Sequence, residues 1–176
     1  MNGQVRIASV AALCASALVA CGQAMTLDAQ QMVVSGFEVP EGFVAIESGY
    51  SGRLQTHYSI EYRAKGKGFI RSTADIEGHS DQAQVWLNDL ARAAIKRGAH
   101  RAKVRASLGD WHRVYVVPTR GSETHPAVVI VLWRQGRVAA VVVRGAARPG
   151  SVTVEAALRL AEAERSHVAE QLAGAK

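Results

Sequence analysis

The run VVIVLWRQGRVAAVVV, Val128 to Val143, is two apolar segments rich in β-branched residues on either side of Arg134-Gln135-Gly136-Arg137. Two such segments around a short glycine-bearing turn predict an antiparallel hairpin. Toward the N-terminus, Trp111 to Val117 reads as a further strand. Before it Ala102, Val104 and Ala106 alternate with Arg101, Lys103 and Arg105, the period of a half-buried strand. Leu54, Thr56, Tyr58, Ile60 and Tyr62 alternate in the same way with Gln55, His57, Ser59, Glu61 and Arg63. A turn over Lys65 to Gly68 then leads into a return strand near Phe69 to Ile76, giving a second hairpin. Val33 to Val39 and Phe43 to Glu47 read as short strands around Pro40-Glu41-Gly42.

Two helices stand out. Ser80 to Arg97 has Ser80 placed to cap it, Asp81 in its first turn, Lys96 and Arg97 in its last, and Gly98 just beyond. Its apolar stripe is Ala83, Trp86, Leu87, Leu90, Ala91 and Ala94. After Pro149-Gly150, Ser151 to Leu172 carries Val154, Ala157, Leu158, Ala161, Val168 and Leu172 on one face. Strands with one helix interposed and one terminal, and no βαβ alternation, predict an α+β fold, with an antiparallel sheet and two main helices packed on one face.

The start of the chain is of a different kind. Arg6 precedes an uncharged run from Ile7 to Ala20, which has the length and composition of a signal-peptide core and falls short of the roughly 20 apolar residues that span a bilayer. The run ends in Leu18-Val19-Ala20-Cys21, which resembles the lipobox of bacterial lipoproteins. The resemblance covers the first 22 residues. It implies cleavage before Cys21, acylation of the Cys21 thiol (palmitate among the chains) and retention of the domain at a membrane of the cell envelope. Gly22 is not the aspartate that marks inner-membrane retention, so an outer membrane is favoured in a cell with two. The implied organisation is a signal peptide over 1–20, a lipidated tether over 21–31 and a single domain over 32–176. About 155 residues suffice to bury a core without disulfides. Cys14 would leave with the signal, so the mature domain would have no cysteine pair.

Charge is uneven along the chain. Twelve Lys or Arg face only two acids, Asp110 and Glu123, between Arg92 and Arg148, whereas acids outnumber bases nine to five from Cys21 to Ala91. Arg92, Lys96, Arg97, Arg101, Lys103, Arg105 and Arg113 are therefore the candidate partner-binding residues. They suit an anionic envelope polymer, lipid phosphates or an acidic envelope protein. The plainer reading of the row at 101–105 is an edge strand guarded by cations. Nucleic acid is not expected, since no aromatic platform is interleaved with these charges.

No cofactor or catalytic motif is present. The six histidines lack the spacing of a metal site. Gly78-His79-Ser80-Asp81 lacks the second glycine of a nucleophile elbow, and Gly66-Lys67-Gly68 lies in a hairpin turn. Trp86 and Trp111 read as core residues, and Trp133 either joins them or forms an exposed contact pair with Arg134. The expected function is that of a non-enzymatic binding or scaffolding lipoprotein. The alternatives are an envelope hydrolase whose groups converge from distant strands, such as Glu61 with His57 or Asp110 with His112, and an assembly lipoprotein of an envelope machine. The order of hairpin strands followed by an Ala/Leu-rich helix over the last 70 residues resembles that of small lipoproteins and sensor domains of the PsbP type.

Overall fold

The structure is a computed structural model. It describes residues 26–51, 56–119, 122–148 and 150–175, with the side chains of 122–125 excepted. Cys21 and Leu54 lie outside the described residues.

The chain runs through β1 (Val44–Ser51), β2 (His57–Ala64), β3 (Gly68–Ile76), α1 (Ser80–Lys96), β4 (His100–Ala102), β5 (Trp111–Thr119), β6 (Ser122–Gln135), β7 (Val138–Gly145) and α2 (Val154–Gly174). All seven strands form one antiparallel sheet in the order β1-β2-β3-β7-β6-β5-β4, so the fold is α+β. The β2–β3 and β6–β7 hairpins form as the alternation and turns require. In the second, Leu132 faces Val141 and Trp133 faces Ala140.

The two helices do not share a face, which corrects the expected arrangement. Val129, Val131, Trp133, Ala140 and Val142 pack with Ala157, Leu160, Ala161 and Val168 of α2. Their strand neighbours Leu132, Ala139 and Val141 pack with Ala83, Leu87, Ala91 and Ala94 of α1. Successive strand side chains point to opposite faces, so α1 and α2 lie on opposite sides of the sheet. The cause is visible in β6 and β7 themselves. Strands without a polar side bury both faces, and each face needs its own cover.

Residues 33–39 are not a strand. A short 3-10 turn at Ala29–Met32, capped by the Asp28 carboxylate on the Gln30 N–H, leads into a strap that crosses the α2 face beside the helix. The strap's backbone bonds to side chains instead of a ladder. The Val34 N–H donates to Ser72 Oγ at 2.9 Å, Tyr62 Oη donates to the Val34 carbonyl at 3.0 Å, and His167 Nδ1 lies 3.0 Å from the Val33 carbonyl. His167 Nε2 also reaches the Glu38 carboxylate at 2.7 Å. Ala29, Met32, Val33 and Val34 are buried beneath it, completing the cover that α2 begins.

At the centre of that face lies Glu164, fully buried on α2. Ser72 Oγ donates to its Oε1 at 2.5 Å and the Trp133 indole N–H to its Oε2 at 2.9 Å. Neither partner is charged, and among the described residues no cation pairs with the carboxyl. Burial pushes its pKa up to about 8 against the pull of the two hydrogen bonds.

In the unfolded chain Glu164 ionises in the ordinary carboxylate range. Folding therefore holds a proton that the unfolded state has released, and the native state loses stability as pH rises toward 8. Glu164→Gln keeps an acceptor for Trp133 and, like the protonated acid, turns a donor toward the Ser72 hydroxyl, which then accepts, without the charge. Urea titrations at pH 5 and pH 9 are expected to show wild type and E164Q similar at pH 5, and E164Q more stable by a few kcal/mol at pH 9. An equal response of the two proteins to pH would count against a buried, titrating Glu164.

Candidate functional site

A helix with its side chains is about 10–12 Å across and strands lie about 4.8 Å apart, so one helix roofs two or three strands of a sheet. On the α2 face the strap covers what the helix leaves. On the α1 face, α1 packs over β5, β6 and β7. Between α1 and the outer half of the sheet opens a groove of about 630 Å3.

Its wall is the helix stripe Trp86, Leu90, Ala93 and Arg97, which recurs at helical spacing beside the fully buried stripe. Its floor starts apolar, at Ile130 and Val143, and becomes polar over β2 and β3. There the hairpin register sets three polar pairs directly opposite one another: His57 with Asp75, Ser59 with Thr73, and Glu61 with Arg71. Each pair is bonded. His57 Nδ1 is 3.2 Å from Asp75 Oδ2, and Thr73 Oγ1 donates to Ser59 Oγ at 3.1 Å. Arg71 donates from Nη2 and Nε to Glu61 Oε2 at 2.5 and 3.0 Å. The Arg63 Nε donates to Glu61 Oε1 at 2.7 Å.

Glu61 is 4 % exposed, whereas Arg63 and Arg71 are 64 % and 51 % exposed. Burial works to raise its pKa, and the guanidinium hydrogen bonds of Arg63 and Arg71 outweigh burial and hold it below the usual carboxylate value. The carboxylate thus clamps two guanidinia while leaving both partly exposed at the groove.

The groove has two unlike ends. At one, the His57 ring meets the Trp86 indole edge-on, with centroids 6.0 Å apart. At the other, Arg63, Phe69, Gly145, Val128 and Val117 form one row across β2, β3, β7, β6 and β5. Arg97 belongs to this second end, because the chain turns after it to pair His100 with Val116, the neighbour of Val117. The Phe69 ring lies over Gly145, where an added Cβ would come within 2.0 Å of ring carbons.

The sequence-predicted basic residues do not form one patch. Of the seven, Arg97 alone lines the groove. Arg92 pairs with Asp89 one turn back on α1. At 100° per residue Arg92 and Lys96 fall on the side of α1 opposite its buried stripe, and both are exposed. Arg101, Lys103 and Arg113 line a shallow pocket of about 460 Å3 with His112 at the β4 edge. Arg113 lies over the Trp111 indole, 4.9 Å from the ring centroid. Arg105 is exposed two residues past Lys103, and the expected exposed alternation of Arg101, Lys103 and Arg105 is present. The ladder behind it pairs only His100–Ala102.

The convergent pairs considered for hydrolysis are otherwise engaged. His57 meets Asp75, and Glu61 is held by two arginines. Asp110 Oδ2 accepts the Gly136 N–H at 2.7 Å and so fixes the β6–β7 turn. Trp133 is fully buried rather than paired with Arg134. Ser80 is the first residue of α1, and His79 occupies the cap position, its N–H bonded to the Gln82 side chain. No family model, curated protein or solved structure matches the chain.

Sequence reading missed Arg63 and Arg71, because the acids around them hide them in a segment charge count. The signal was present in the hairpin: the turn at 65–67 places Arg71 opposite Glu61.

Two outcomes follow from this geometry. Glu61→Gln removes a carboxylate whose pairing stabilises the fold at neutral pH, and that stabilisation fades as acid protonates Glu61. E61Q should therefore be less stable than wild type at pH 7, with the difference shrinking at pH 3; a gap independent of pH would contradict the clamp. Gly145→Ala should cost about 1–3 kcal/mol in urea unfolding through collision with Phe69, and Phe69→Ala in the same chain should recover part of it.

Proposed function

We propose that the protein is a lipid-anchored, non-enzymatic binding domain of a bacterial cell envelope. Its basic β4 edge holds an anionic envelope polymer or an acidic envelope protein. The anchor rests on the match of Leu18-Val19-Ala20-Cys21 to a lipobox at the end of an uncharged run. Two or more acyl chains at Cys21 would hold the domain at its membrane far more firmly than one.

The observation that carries the binding surface is the length of β4. Edge protection accounts for a cation on a strand whose outer backbone groups are unpaired. The ladder ends at Ala102, yet the row continues through Lys103 and Arg105, and Arg113 joins it from β5. Past that point Trp111–Arg113 of β5 form the edge, which a single cation would guard; Arg101, Lys103 and Arg113 around one pocket, with Arg105 beyond, exceed that need. They offer guanidinium and ammonium donors around an open pocket, and that chemistry suits phosphate or carboxylate.

Cells expressing the full chain and fed radiolabelled palmitate should incorporate label in the wild type and not in Cys21→Ser. Unlabelled wild type would overturn the anchor. Membranes bearing the wild type should retain lipopolysaccharide or peptidoglycan fragments at low salt and release them as salt rises. The Arg101→Glu, Lys103→Glu, Arg105→Glu variant should lose most of that retention. Equal retention by the two would reduce the row to solvated charge.

A further inference from the structure

The groove between α1 and the β2–β3 hairpin lies away from the β4 edge, and its polarity is sorted along its length. One end carries Arg63 and Arg71, both bonded to the buried carboxylate of Glu61, and Arg97 lines the same groove from the end of α1, so three cations stand there to one anion. The other end carries Asp75 with His57 beside the Trp86 indole. Between them the wall is Leu90 and Ala93 of α1, above Ile130 and Val143.

From this we propose that the groove binds a single-chain lipid with a phosphate monoester head. The head sits against Arg63, Arg71 and Arg97, and the acyl chain lies along α1 toward Trp86.

Three features select that occupant. A phosphate monoester carries about −1.5 to −2 charge near neutral pH, which the surplus of two cations at the arginine end matches better than a single carboxylate does. The far end has no arginine and holds Asp75 behind His57, so an anionic head is favoured at the arginine end. Thr73 donates to Ser59 Oγ beneath the chain, so covering the two hydroxyls with methylenes strands one O–H, that of Ser59, rather than two. A volume of about 630 Å3 lies within the roughly 300–1,000 Å3 of small-molecule sites, and it suits one chain better than a diacyl lipid or a folded partner.

Glu61 has a further part to play. By bonding both Arg63 and Arg71 from below, it fixes the two guanidinia before any ligand arrives, which lowers the entropy lost on binding.

The test uses the full chain in phosphatidylcholine nanodiscs, with lysophosphatidic acid bearing a photoactivatable group on its acyl chain and cross-links mapped by mass spectrometry. Cross-links are expected on the α1 segment Trp86–Leu90 and on Phe69 or Val143. Unlabelled lysophosphatidic acid should compete, and lysophosphatidylcholine or oleate of the same chain length should need at least tenfold more. Arg97→Gln, at a residue that pairs with no carboxylate among the described residues and sits exposed at the end of α1, should cut labelling about tenfold. The Glu61→Gln, Arg71→Gln double variant removes a guanidinium without leaving a buried charge and should do the same. Absent labelling of folded protein, labelling elsewhere, or equal competition by the zwitterion or the carboxylate would each overturn the inference. Labelling displaced by an amphipathic acidic peptide and not by the lipid would assign the groove to a protein partner and overturn it too. None of these outcomes bears on retention of polymer at the β4 edge, which is read separately.

Discussion

Val129, Val131 and Trp133 point to one face of the sheet and Ile130 and Leu132 to the other, and the same alternation runs through Val138 to Val143. The two central strands therefore have no side to turn to water. Leaving either face bare would expose several large apolar side chains, at about 1.5–3 kcal/mol for each. Two covers are required, and the chain supplies one helix to each face. The width of the sheet then decides the rest. A helix cannot roof seven strands, so the α2 face needs the N-terminal strap, and the strands on the α1 side that lie beyond the helix must be polar or paired.

The two faces meet that demand differently. Beneath α2 the strap brings apolar side chains and few polar groups. Those it does bring, the Val34 amide and the Val33 and Val34 carbonyls, find Ser72, His167 and Tyr62. Glu164 ties helix, sheet and strap together through Ser72 and Trp133 in one chain of bonds, at the expense of holding a carboxyl in an apolar setting. Over β2 and β3 on the other face there is no strap among the described residues. The strands carry polar side chains that answer one another across the hairpin, and these become the floor of a groove.

Much of this was legible in the sequence, and the parts that were not share a cause. Hairpins and helices follow from local signals: the period of Tyr58, Ile60 and Tyr62, the glycine-bearing turn after Gln135, and the charges at the ends of α1. Which face a helix covers is a long-range matter, although the unbroken apolar runs of β6 and β7 already implied cover on both sides. Glu164 reads as a solvent-facing residue of an alternating helix, and only the positions of Ser72 and Trp133, distant in sequence, show that it is buried. Residues 33–39 look like a strand because apolar residues recur there, but the backbone of Val33 and Val34 bonds to side chains from three other elements, and Ser35 and Glu38 bond to each other. The charge count drew attention to residues 92–113. It could not separate Arg97, which lines the groove, from Arg92 and Lys96 on the outer side of the helix, and it hid Arg63 and Arg71 among acids.

The architecture thus leaves two positive surfaces, one beneath α1 where the sheet is unequally covered and one at the edge strand where β4 is short. Hydroxyl-radical footprinting of the full chain reads that covering directly, since Trp86 lines the open groove while Trp133 lies sealed under α2. Trp86 should oxidise many times faster than Trp133 in the folded protein, and the two should become equal in urea. Equal protection of both would mean that the α1 face is closed, and equal oxidation would mean that α2 does not cover its own; either result would contradict the account.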